Sequence, residues 1–203
     1  MQHIGLTGGI ATGKSHVRSR LQALGIPVVD ADAIVHGLLA GGTPATGRIA
    51  RRFGAGVLRP DGAVDRAALG RLVFADAAAR GDLEAILHPA VYARIAQWME
   101  EQEAGGSRAA AADIPLLFET GHERDFDIVV VVACDPAEQV RRVMARDRLS
   151  ERDARARLAA QWPIEEKVAR ADHVIRTDGS FAETDLQVEQ FARTLAERPD
   201  RPA

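Results

Sequence analysis

Cysteine occurs once, at Cys134, so no disulfide can form within the chain. A lone thiol fits a reducing cytoplasm, and we read Cys134 as a packed residue near a strand end. Long apolar runs are missing too. The longest, Ile128 to Cys134, is far too short to cross a bilayer. Met1-Gln2-His3 leads straight into a strand-like stretch, so we expect no signal peptide and no membrane association. There is no basic excess: the net charge is −3, which excludes a global field for nucleic acid. No repeat and no low-complexity linker is present, and nothing marks an obligate protein partner. Lysine is nearly absent. Of 26 basic residues only Lys14 and Lys167 are lysine. This bias reflects genome composition, yet a lysine stands at position 14 where the chain otherwise writes arginine. A compact ammonium and a planar guanidinium are not exchangeable in a tight site.

The length of 203 residues suits one domain with a buried core. Short apolar runs alternate with helical patterns, which predicts an α/β fold with a parallel sheet. Five strands are expected: His3–Thr7, Pro27–Asp30, Ala110–Ile114, Ile128–Ala133 and His173–Ile175. The third, in "AAAADIPLLF", also reads as a helix end, but Gly105-Gly106 before it and Pro115 within it favour a break and then a strand. A first helix is expected from Gly13 to about Leu24, with Val17, Leu21 and Leu24 on one face and Gly25 ending it. Between residues 35 and 104 the pattern is wholly helical. Pro44 suits a first turn, Asp65 a cap, and His88-Pro89 a break between two helices. An insertion between two strands is a common place for a substrate-binding lobe. Asp135, Pro136 and Glu138 form an approximate capping box, and Ser150 to Asp153 a looser one, so a helical hairpin is expected from about Gln139 to Gln161. Seven arginines, 141, 142, 146, 148, 152, 155 and 157, cover several of its faces. Most are expected to pair with Asp147, Glu151 and Asp153; one or two would reach a phosphate. With few large apolar residues, the hairpin is expected to be mobile. The tail Glu197–Ala203 is expected to lack order.

The chemistry concentrates in "GLTGGIATGKSH". Gly8-x-x-x-x-Gly13-Lys14-Ser15 matches the phosphate-binding loop, with a strand before it and an amphipathic helix after. Glycines let the backbone N–H groups turn inward, and the helix N-terminus adds positive charge. Lys14 would reach the β- and γ-phosphates and Ser15 would ligate Mg²⁺. A nucleoside triphosphate is implied, but not a reaction. A GTPase switch needs an Asn-Lys-x-Asp motif, and neither lysine is preceded by asparagine. A remodelling ATPase needs an acidic pair ending an apolar strand, whereas Ile128–Cys134 runs into a lone Asp135 that suits a cap. A small-molecule kinase remains. It needs a proton acceptor, and "PVVDAD" offers Asp30 and Asp32 at the end of the second strand, on the edge that should carry the loop. One could deprotonate an acceptor hydroxyl while the other holds hydrated Mg²⁺. Alternatively, Asp32 caps the next helix, Ala33–Leu39.

Six segments, "IGLTGGIATGKS", "VVDADAIVH", "ILHP", "DIPLLFE", "RDRLSERDARARLAAQ" and "ADHVIRTDGS", fall in the order and spacing of the dephospho-CoA kinases. The resemblance spans roughly Ile4 to Ala196. It implies a P-loop NTPase-type fold, related to nucleoside monophosphate kinases: a five-stranded parallel sheet flanked by helices, with a helical substrate-binding insertion and a helical lid. It implies a nucleotide-binding core of 1–34, 107–138 and 165–203, an acceptor-binding insertion 35–106 and a lid 139–164. The implied reaction moves phosphate from ATP to the ribose 3′-hydroxyl of dephospho-CoA, the last step of coenzyme A synthesis. By motif position, Asp32 resembles the catalytic base, and Lys14 and Arg146 the groups that stabilise the transferred phosphate. Gly8, Gly9, Ala11, Thr12, Gly13, Lys14, Ser15, His16, Arg142 and Gln161 resemble the ATP-binding set. Asp30, His88, Pro89, Leu116, Leu117 and Glu119 resemble the acceptor-site segments, and Ser15 with Asp30, through water, the Mg²⁺ site. Two departures stand out: His16 replaces the usual Thr, and Arg176-Thr177-Asp178-Gly179 replaces an Asn-rich turn near the adenine.

Overall fold

The structure is a computed structural model that describes residues 1–197; the expected disorder of the tail falls beyond them except for Glu197, the last residue of a helix. The strands are β1 (Gln2–Gly8), β2 (Val28–Asp30), β3 (Ala109–Asp113), β4 (Ile128–Ala133) and β5 (His173–Arg176). They form one sheet in the order β2-β3-β1-β4-β5. β1 pairs parallel with β3 and β4, and β4 with β5. Central strands are buried on both faces, so β4 reads as an unbroken apolar run.

The alanine-rich β3 is a strand because of its neighbours. Alanine has no strand preference of its own. Ala109 to Asp113 lie in register with Gln2 to Leu6, and all five are buried. The register sets Asp113 opposite Leu6, just before the loop glycines.

The described chain forms two compact units, 1–29 with 99–197, and Asp30–Trp98. In the first, Ile4, Leu6, Val17, Leu21, Val130, Val132, Ile175, Val188 and Phe191 form the main core. Helix α1 (Lys14–Ala23) contributes Val17 and Leu21 to it, but Leu24, expected on that face, is exposed. The chain turns at Gly25, whose φ of 81° ends the helix before Leu24 can be covered.

The second unit holds α2 (Ala31–Leu38), α3 (Pro44–Phe53), α4 (Arg66–Ala75) and the first part of α5 (Ala77–Ala104). Leu39, Ile49, Val57, Val64 and Leu69 make its own core. Thr43 and Asp65 cap α3 and α4 with side-chain oxygens. His88-Pro89, read as a break, does not interrupt α5; Pro89 lies inside a 28-residue helix. Proline removes one hydrogen bond and crowds the preceding turn. Val91, Ile95 and Met99 continue one buried stripe beyond it, and that burial outweighs the loss.

Helices α6 (Pro136–Asp147) and α7 (Glu151–Ala159) form the expected hairpin, with Asp135 and Ser150 as caps. It is followed by α8 (Ile164–Val168) and, after β5, by α9 (Phe181–Glu197).

Candidate active site

The loop between β1 and α1 is shaped by a few backbone requirements. At Gly8 a Cβ would come within 2.5 Å of the Val132 carbonyl oxygen on β4, so no larger residue fits. Gly13 caps α1 with φ 84°, in the left-handed region, and Ala11 also takes positive φ, 57°. Thr12 folds its hydroxyl back onto the Gly9 carbonyl, 2.9 Å away, and is itself buried. Helix α1 begins straight after the curl, so its positive end lies at the loop. Ser15 and His16 line a cavity of about 780 Å³ there, with Ala11, Gly13, Glu138, Arg142 and the 177–181 turn.

Lys14 and Asp113 form an ion pair, and Arg18 reaches the second Asp113 oxygen at 3.3 Å. Asp113 is 3 % exposed in its side chain, so its charge depends on those two cations. Sequence reasoning missed this residue. It looked for an acidic strand end after β4; the acid lies after β3, hidden behind alanines. An aspartate closing a strand beside a phosphate loop is the usual second magnesium ligand of such sites.

Arg142 and Arg146, one helical turn apart, part ways. Arg142 donates from Nη2 to the Thr177 carbonyl at 2.6 Å, from Nη1 to Thr177 Oγ1 at 3.1 Å, and from Nε to Glu138 at 2.7 Å. It therefore lines the cavity. Arg141 and Arg142 hold the Glu138 carboxyl down at about 2, so the cluster stays ionised throughout the neutral range. Arg146, expected at phosphate, turns to solvent and makes a two-pronged pair with Asp147, which Arg157 also joins. Asp147 competes for it because it sits next in the chain. Burial works against the charge of Asp178, but the Asp135 N–H and the Arg176 guanidinium win and keep its carboxyl below the usual range.

His16 turns its Nε2 to Asp185, 2.8 Å away, and its ring lies 4.6 Å from that of Phe181. The imidazole is thus held at the cavity wall by α9. Gln161 accepts a hydrogen bond from the Ile10 N–H at 2.9 Å, and Gln139 donates to the Ile10 carbonyl at 2.7 Å. Val140, Val143, Ala154 and Leu158 pack with Ile10 and Ala11. The hairpin expected to be mobile is therefore seated on the loop in this structure, through its few larger apolar residues, Val140, Val143, Met144, Leu149 and Leu158.

Asp30 caps α2: its Oδ1 accepts from the N–H groups of Asp32 at 2.9 Å and Ala33 at 3.4 Å. The alternative in which Asp32 caps is thereby excluded. Asp32 is exposed in the first turn of α2. His88 is half-buried and Pro89 exposed on α5. Among the remaining acceptor candidates Leu116 is exposed, but Leu117 is fully buried against Gly5, so its side chain is core. Glu119 is engaged by Lys167 at 2.7 Å. Among the described residues no helix is long and apolar enough to cross a membrane, and no cluster of three His, Cys, Asp or Glu forms a metal cage.

The family model for dephospho-CoA kinase matches residues 2–183. A dephospho-CoA kinase of Symbiobacterium thermophilum is 51% identical over 189 residues, 93% of this chain and 79% of the relative. One of Anaeromyxobacter dehalogenans is 53% identical over 180 residues, 89% of this chain and 85% of that one. The solved dephospho-CoA kinase from Campylobacter jejuni superposes with a TM-score of 0.75 at 30% identity, covering 96% of this chain and 97% of its own. With the loop, the parallel sheet and the ordered motifs, these likenesses place one conclusion beyond the fold alone: the chain belongs to the dephospho-CoA kinase family.

Proposed function

We propose that the cavity at the α1 N-terminus takes ATP and that Asp32 prepares the ribose 3′-hydroxyl of dephospho-CoA for attack on its γ-phosphate. Family membership makes the chain an ATP-dependent kinase of dephospho-CoA in coenzyme A synthesis. The residue roles are our reading. The observation that carries them is the loop itself, with Gly13, Ser15 and His16 at the start of α1 lining the cavity.

Lys14 would exchange Asp113 for the β- and γ-phosphate oxygens, and neutralise the charge that grows on them in transfer. Arg142, already locked to Thr177 and Glu138, would face the phosphate chain without further ordering. Arg146 can join only by leaving Asp147. Ser15 and Asp113 offer the hard oxygen donors that suit Mg²⁺, which needs few protein ligands when phosphates supply the rest. Bound there, Mg²⁺ would supply positive charge that offsets the charge growing on the phosphates in transfer. Asp30, assigned to hydrated Mg²⁺ by sequence, has one oxygen already committed to its cap. The insertion, with His88, Pro89 and Leu116, is the lobe we assign to the acceptor. The single buried thiol, Cys134, fits a cytoplasmic setting.

A coupled assay with ATP, Mg²⁺ and dephospho-CoA should show stoichiometric ADP release. Activity on a nucleoside monophosphate with none on dephospho-CoA would overturn the reading. Arg142→Ala should weaken ATP binding by about tenfold to a hundredfold in titration calorimetry, since charge-assisted contacts of this kind contribute about 1.5–3 kcal/mol. Unchanged ATP affinity would remove Arg142 from the site.

A further inference from the structure

Lys167 is the second of the two lysines, and it is wholly buried. We propose that it is a positioning residue for the phosphate loop, holding the peptide that joins Gly8 to Gly9 and tying it, through Glu119, to Trp162 at the foot of the helical hairpin. The proposal rests on the reading of that loop as the ATP site.

An ammonium is costly to bury unless every proton finds an acceptor. Lys167 Nζ finds three: Glu119 Oε1 at 2.7 Å, the Pro115 carbonyl at 3.3 Å and the Gly8 carbonyl at 3.4 Å. Three donors meet three acceptors, one of them charged. Gly8 is the last residue of β1, and its peptide opens the loop. A trans peptide is planar, with C=O and N–H pointing opposite ways. Drawing the Gly8 carbonyl toward a buried cation therefore turns the Gly9 N–H away from the buried side. The same cation polarises that peptide and makes the N–H a stronger donor.

Glu119 extends the link. Its Oε1 also accepts from the Trp162 N–H at 3.1 Å, while Oε2 is buried without a hydrogen-bond partner among the described residues. Trp162 follows Gln161, which holds Ile10. It also stacks on Phe118, with near-parallel rings 6.2 Å apart, and carries Arg170 over its face. Any shift at the hairpin foot is thus felt twice in the loop, at Ile10 through Gln161 and at Gly8 through Glu119 and Lys167. Arginine could not substitute: a planar fork does not converge on three acceptors around one point. Both positions where this chain writes lysine are point-charge sites beside the same loop.

The test is the double variant Lys167→Met with Glu119→Gln. It removes both buried charges at similar volume, so no unpaired ion is left to unfold the protein. Thermal melting, direct ATP binding, and kcat with KM for each substrate are compared with the wild type. We expect a wild-type-like cooperative melt, with the ATP Kd raised and kcat lowered, each by about tenfold to a hundredfold. KM for dephospho-CoA should stay within about twofold, because the altered amide faces only the donor, and Glu119, read from sequence as an acceptor-site residue, is turned inward to Lys167 in the structure. A folded variant whose ATP Kd and kcat match the wild type would overturn the proposal, and so would an equal loss in both substrates. Should the double variant not fold, Lys167→Gln with Glu119→Gln carries the same readouts with the same expected split, since a neutral amide pair can hydrogen-bond there and leaves no unpaired charge. Wild-type protein that fails to phosphorylate dephospho-CoA would instead remove the functional reading, a distinct outcome.

Discussion

Asp32→Asn should lower kcat by about 10²- to 10⁴-fold while leaving ATP binding near normal, the range expected when a positioned proton acceptor is lost. That corresponds to about 2.7–5.5 kcal/mol of barrier. The structural cost is much smaller. Asp32 is exposed in the first turn of α2, where a carboxylate gains about 0.3–1 kcal/mol from the helix dipole. Its backbone N–H, not its carboxylate, takes part in the cap, and Asn keeps that N–H. Thermal stability should therefore scarcely move, and the loss should appear in single-turnover rates with dephospho-CoA. Asp30→Ala is the control: it removes the oxygen that caps α2 and leaves Asp32 in place, so its effect should be on melting first. If Asp32→Asn retains more than about a tenth of the wild-type rate, another group accepts the proton.

Lys14→Ala should reduce kcat/KM by about 10²- to 10³-fold, as for removal of one preorganised charge from a transition-state site. Part of that loss should appear as weaker ATP binding, because the ammonium meets phosphate in the ground state too. Folding should survive, since Asp113 keeps Arg18 beside it. Lys14→Arg should not rescue. Its guanidinium matches the Asp113 carboxylate better than lysine does and would stay there in a two-pronged pair. An arginine variant as active as the wild type would show that charge alone, and not its point-like form, matters at this position.

Much of the donor site was legible because its physics is local. A curl of glycines, a lysine and a serine at a helix start need only eight consecutive positions, and Gly13 with positive φ is where the pattern requires it. The caps Asp65, Asp135 and Ser150 act within three residues of themselves. Strand β4 announces itself by composition, since burial on both faces demands an unbroken apolar run. The resemblance of the ordered motifs then named the family, although none of them alone would.

Other features lay outside such patterns. Asp113 and Lys14 are 99 residues apart, and only the register of β3 beside β1 brings them together. Arg142 and Arg146 share a helix and a charge, and the resemblance favoured Arg146; in the structure Thr177, 35 residues on, holds Arg142 at the cavity, while Asp147, next door, holds Arg146. Pro89 looks like a helix end in any local reading, yet the buried stripe beyond it carries α5 onward. Leu117 and Glu119 share the motif of Leu116 but face different surroundings, one into the core and one toward Lys167. The sequence by itself determined the phosphate loop, the helix starts and the family, because backbone conformation and capping depend on neighbours in the chain. The tertiary structure alone decided which charges meet, because an ion pair depends on distance in space, and a buried lysine on finding every acceptor it needs.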